Sequence, residues 1–229
     1  MTKEFMTEAI AKLIARGAAT AEMFSPSTVT DEDIAAFEQQ FGVTMPESLK
    51  AYLQTSCFAF DRIQTPMPYG WPDVEMLRDP DFECDLMWLN LLPVPQDDPL
   101  KPLTLSMEGF RSIGEDGLNG VSVEEIKDMI PIGDWMAGAG PMVLDLRRPE
   151  SEVDLDDEDT WSIRWFDHEE FEWDEIYADE DDSIVGEPLF PDFRTLLEFY
   201  YCGLYDRTYE EQLEEDGEES PNYAEYIAR

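Results

Sequence analysis

His168 is the only histidine in this chain, and its three cysteines, Cys57, Cys84 and Cys202, stand far apart. A nucleophilic triad needs a histidine held between a nucleophile and an orienting acid. A zinc site needs several His or Cys ligands at close spacing. One histidine and scattered thiols provide neither. His168 lies between Asp167 and Glu169 and reads as an exposed turn residue. The cysteines form no Cys-x-x-Cys pair and are odd in number, which reads as free thiols in a reducing, cytoplasmic compartment.

Carboxylates are the chemistry that remains, and there are 54 of them. Two carboxylates flanking a substrate can perform general acid–base work. Among so many acids, chance pairs are everywhere, so a pair without a pocket says nothing. Asp154, Asp156, Glu158 and Asp159 have the look of a calcium loop. That loop demands Gly at its sixth position and Glu at its twelfth, where this chain has Asp159 and Trp165. Gly138 and Gly140 precede Pro141 and a strand, so they read as a tight turn and not as a phosphate cradle. No metal site and no cofactor is expected, and the chain reads as a non-enzyme.

What the acids do create is a field. The net charge is −39 over 229 residues, and it is uneven. Residues 1–149 hold 25 acids and 11 bases, a net of −14; residues 150–229 hold 29 acids and 4 bases, a net of −25. Such a surface repels nucleic acid and anionic membranes and attracts something cationic. Carboxylates on one strand face, about 6.5–7 Å apart, repel by roughly 0.6 kcal/mol per pair in water. An acid surface costs the free fold stability and suits a partner that relieves it. The densest runs supply the candidate contact residues: Asp154, Asp156, Asp157, Glu158 and Asp159, then Glu169, Glu170, Glu172, Asp174 and Glu175. Disorder does not fit, because Trp161, Trp165, Phe166, Phe171 and Trp173 lie in the acidic half itself, and acidic disordered segments are poor in aromatics.

The elements that must carry these acids can be read from caps and periodicity. Thr2 caps a first helix to about Arg16, with Phe5, Ala9, Ile10, Leu13 and Ile14 near helical spacing and Gly17 as its stop. Thr30, followed by Asp31, Glu32 and Asp33, caps a second helix. Its apolar face is Ile34, Phe37 and Phe41, and Gly42 ends it in a left-handed conformation. Pro46 opens a third helix that carries Leu49, Tyr52 and Leu53. Ser122 and Glu125 form a capping box before Ile126. Met142, Leu144 and Leu146 alternate with Val143, Asp145 and Arg147, a strand with one buried face. Trp161, Ile163 and Trp165 alternate likewise, and His168, Glu169 and Glu170 turn the chain into a partner strand with Phe171 and Trp173. Phe193, Leu196, Leu197 and Tyr200 mark a last helix, stopped by Gly203. The proline-rich middle predicts loops, short strands and one short helix around Leu86 to Leu91. The fold class is α+β, helices packed on a mixed, largely antiparallel sheet.

Within this frame the segment TDEDIAAFEQQFGVTMPESLKAYLQTS, residues 30–56, resembles the opening of the SUKH superfamily, the Smi–Knr type domain. The matching positions are Ile34, Glu38, Phe41, Gly42, Met45, Pro46, Leu49, Tyr52 and Leu53, with Met45 where that family usually has Leu. IPIGDWMAGAGPMVLDLR at 130–147 is similar to the family's central strand pair, SIRWFDHEEFEW at 162–173 to its next hairpin, and FPDFRTLLEFYYCG at 190–203 to its closing helix. The blocks cover about a third of the chain, in the family's order. Cys57, Phe58, Ala59 and Phe60 replace the family's usual Asn-Gly-Gly turn, and residues 61–129 are a longer connection than usual. The resemblance implies a single SUKH-like domain over 28–205, preceded by a helix and connector at 1–27 and followed by an acidic tail or helix at 206–229. It also implies a small cytoplasmic immunity protein that neutralises a cognate bacterial toxin. A basic, nuclease-like toxin would suit the acid surface, with solvent-facing aromatics as anchors. The alternatives are a regulatory scaffold of the kind found among eukaryotic relatives and, more remotely, a carboxylate-based hydrolase.

Overall fold

The hydroxyl of Thr30 accepts the Asp33 N–H at 3.1 Å while the Asp33 carboxylate accepts the Thr30 N–H at 2.8 Å. This reciprocal cap, which also draws the Asp33 carboxyl below the usual Asp range, starts helix α2 (Asp31–Phe41). Gly42, at φ +65°, ends it by donating to the Glu38 carbonyl. The Glu38 side chain then accepts the Met45 N–H at 2.8 Å, which sets the corner into α3 (Glu47–Thr55), with Pro46 as the residue before the first turn. The N-terminal helix α1 (Lys3–Ala15) is capped by Thr2 as expected, the Phe5 N–H reaching its hydroxyl at 3.4 Å.

The computed structural model describes residues 2–15, 19–59, 65–68, 86–135, 140–147, 162–178, 183–190 and 192–202. Within them, β1 (Ser25–Pro26) pairs with β2 (Ser56–Cys57). A six-stranded sheet follows in the order β3 (Thr65–Pro68), β4 (Leu86–Leu91), β5 (Met129–Trp135), β6 (Gly140–Asp145), β7 (Ser162–Trp165), β8 (Glu187–Phe190). Neighbours in sequence are neighbours in the sheet, and every described pairing is antiparallel. Helices α4 (Lys101–Glu115) and α5 (Val123–Ile126) lie in the β4–β5 connection, α6 (Trp173–Ile176) in the β7–β8 connection, and α7 (Phe193–Cys202) follows the sheet.

Two expectations for the middle of the chain are corrected here. Leu86–Leu91 is strand β4 and not a short helix. The proline-rich stretch also contains a fifteen-residue helix, α4, because Pro102 falls in its first turn, where a missing N–H costs nothing.

The sheet is covered on both faces. Ile130, Ile132, Met142, Leu144, Ile163 and Phe190 join a large core with residues of α1, α2, α3 and α7, including Leu13, Phe37, Tyr52, Phe193 and Leu197. Met129 and Val143, one step out of phase, join a second core with Phe110, Ile126, Phe166, Trp173 and Tyr177. Strand β6 therefore has two buried faces, where alternation had suggested one. Tyr52 ties the first core to the sheet through a 2.9 Å hydrogen bond from its hydroxyl to the Leu92 carbonyl.

Candidate functional site

The second core fixes the acidic surface. Phe166 follows β7 and is fully buried, stacked on Trp173 with ring centroids 4.7 Å apart and edge-on to Tyr177 at 5.4 Å. Asp167 then gathers the turn. Its carbonyl accepts the Trp173 indole N–H at 2.8 Å and the Glu170 N–H at 3.3 Å. Its carboxylate accepts the Glu169 N–H at 2.8 Å, and its own N–H donates to the Tyr177 hydroxyl at 3.1 Å. Burial pushes the Tyr177 hydroxyl above its ordinary pKa. His168 is an exposed turn residue, as its sequence position suggested.

The second strand expected over Phe171 to Trp173 is not there. The chain enters α6 instead, and β7 pairs with β8. Trp173 and Tyr177 stand one helical turn apart, both facing Phe166, so their burial follows helical spacing and not the period of a strand. Phe171 is left pointing at solvent, 79% exposed.

Glu169, Glu170, Glu172, Asp174 and Glu175 are all exposed on this turn and helix. Asp154, Asp156, Asp157, Glu158 and Asp159 lie outside the described residues, as do residues 136–139, where a tight turn was expected, Asp179–Asp182 and everything after Cys202. The structure thus brings together one of the two predicted acidic groups. It adds residues that sequence reasoning missed. A short 3-10 turn, Leu118–Gly120, packs beside α6: the Asn119 side-chain amide donates to the Glu170 carbonyl at 2.6 Å. Gly120, at φ +73°, meets Asp174 so closely that a Cβ there would collide with its carboxylate. Leu118 is 52% exposed and Ile176 46%. The Gly117-Leu-Asn-Gly120 run is a turn signal in sequence, but its partner 50 residues on is not visible there.

One acid is buried. Asp145, at the end of β6, is 6% exposed and holds the Arg147 guanidinium at 3.0 and 3.1 Å. Arg147 also donates to the carbonyls of Glu125, at 2.8 Å, and Ile184. Arg164 lies close enough to feel the pair; burial pulls its pKa down, against the pull of Asp145. Both carboxylate oxygens of Asp145 are engaged by arginine, an arrangement that fastens α5 and the approach to β8 onto the sheet.

Among the described residues no cluster of three or more His, Cys, Asp or Glu is set to hold a metal ion, and no helix is long and apolar enough to cross a membrane. Cys57 is a buried free thiol, and Cys202 is partly buried. The molecule is thus an α+β domain with an antiparallel sheet between two apolar cores and a pinned, acid-rich turn at its surface. Residues 28–198 match the model of the SMI1 / KNR4 family (SUKH-1), and the chain belongs to that family. No curated protein and no solved structure matches it.

Proposed function

We propose that this chain is a non-enzymatic cytoplasmic immunity protein that binds a cognate bacterial toxin, a basic nuclease-like domain, and neutralises it by covering its substrate surface. Membership of the SMI1 / KNR4 family over residues 28–198 is the observation that carries this reading. The charge supports it. A nuclease must attract a polyanion, so an inhibitor with a net charge of −39 competes for the same basic surface. The proposed contacts are Asp154, Asp156, Asp157, Glu158 and Asp159 together with Glu169, Glu170, Glu172, Asp174 and Glu175. The last five are held by a turn whose hydrogen bonds are already formed, so binding them requires little further ordering.

The test is co-expression with the products of the genes on either side of this one, of which one is expected to be a toxic domain. Growth should be restored by the wild-type chain, and the two purified proteins should form a complex that weakens as salt is raised. A chain that neither restores growth nor binds that domain would overturn the reading.

A further inference from the structure

The turn that presents the acids also presents apolar side chains, and the fold does not need them there. Phe171 is 79% exposed, yet the chain on both sides of it is held: the Glu170 carbonyl by Asn119, and the Trp173 side chain by Asp167 and the stacked Phe166 ring. Leu118 and Ile176 stand on the two segments joined by the Asn119–Glu170 hydrogen bond. Exposing a phenylalanine ring forfeits roughly 1.5–3 kcal/mol of burial, and a mobile loop could fold it inward. Here the loop is fixed with the ring outward.

We propose that Leu118, Phe171 and Ile176 form the anchoring patch of the interface, and that they dock into an apolar depression on a partner protein whose rim is basic. The partner's charge follows from what surrounds the patch. Residues 113–120 and 166–178 contain Glu115, Asp116 and the acids from Asp167 to Glu175, and no lysine or arginine. A large exposed aromatic ringed by polar groups on a preorganised backbone is the makeup of an interface hot spot. This rests on the reading of the chain as a toxin-binding protein and assigns the labour within that interface: acids set the rate of encounter, the apolar patch sets residence time.

The experiment measures association and dissociation rates of the toxic domain expected among the neighbouring genes' products, in inactivated form. Phe171→Ala is expected to raise the dissociation rate by about 10-fold or more, with the association rate within about 3-fold of wild type. Leu105→Ala removes an equally exposed leucine from α4, ten residues and about 15 Å along that helix from Glu115, and should change neither rate. Thermal melts will check that each variant stays folded. Wild-type binding that Phe171→Ala leaves within twofold overturns the patch and spares the immunity reading. Should the wild-type chain not bind that domain, the immunity reading falls, and the patch is decided by an NMR titration with a synthetic peptide alternating lysine and leucine. Shift changes gathered at 116–120 and 168–177, and lost in Phe171→Ala, support it; changes spread evenly over the acidic surface overturn it.

Discussion

Asp145 and Arg147 show how much a single charge depends on where the chain puts it. Fifty-three other acids share the sequence with Asp145, and its alternation with Met142 and Leu144 placed it on an outward strand face. That face is covered by the second core, built from segments far along the chain such as Phe110 and Trp173, so the carboxylate is buried. No local pattern announces a second covering layer, and the pair was therefore illegible in sequence. Its consequence is testable. Removing the guanidinium leaves a buried carboxylate with no cation on either oxygen, a loss that typically costs about 3–5 kcal/mol. Arg147→Met should lower unfolding free energy by that order in urea melts. Replacing both members, Asp145→Leu with Arg147→Met, should recover part of it, since no carboxylate is then stranded while Arg164 loses the pull of Asp145. A single variant losing under about 1 kcal/mol would show that solvent reaches the carboxylate.

Elements were legible where their signals were local. Thr30, Asp33 and Gly42 define α2 within thirteen residues, and the structure draws the reciprocal cap and the left-handed stop that those residue types imply. Strand β4 was misread because six mostly apolar residues, LMWLNL, suit a buried helix turn as well as a strand; its antiparallel partners β3 and β5 decide the matter. The α6 helix was misread because Phe171 and Trp173 imitate a strand's period. The sheet's outer strands also carry prolines, Pro66 and Pro68 in β3 and Pro188 in β8, which blunt edges that would otherwise recruit further strands. Helix packing makes its own prediction through Tyr52 on α3 and Tyr201 on α7. Burial holds both hydroxyls well above the ordinary tyrosine pKa of about 10. In the unfolded chain they lose protons near pH 10 while the folded chain keeps them. The stability that both contribute is thus complete below pH 10 and drains as pH rises beyond it. Melts from pH 9 to 11 should show a falling Tm, with a shallower fall in Tyr52→Phe and Tyr201→Phe. Tyrosinate absorbance from these two should rise only with unfolding; a rise in the folded protein would show that the burial is not real.

At the scale of the whole molecule the charge acts in two opposite ways, and salt separates them. Composition alone disclosed the field, but not that five of its acids ride on a turn pinned by Asp167, Asn119 and Trp173, because Asn119 reaches Glu170 across 51 positions and Trp173 reaches back to Asp167 only once the chain has entered α6. A net charge of −39 with 15 cations to offset 54 anions makes the folded chain repel itself. Going from 0.01 M to 1 M salt shortens the screening length from about 30 Å to about 3 Å, less than the spacing of neighbouring strand-face carboxylates. Tm should therefore rise with sodium chloride. The same screening removes the long-range attraction of the proposed basic partner, so its association rate should fall by about 10-fold or more over that range. Dissociation, governed by the desolvated contacts around Phe171, should change far less. A generic salt effect on folding would move Tm and leave the association rate alone. An interface indifferent to charge would give a flat association rate with faster or unchanged dissociation. Only a surface that is both a burden on the free fold and a guide to its partner moves stability up and encounter down together, and that joint result would tie the acidity of this chain to binding.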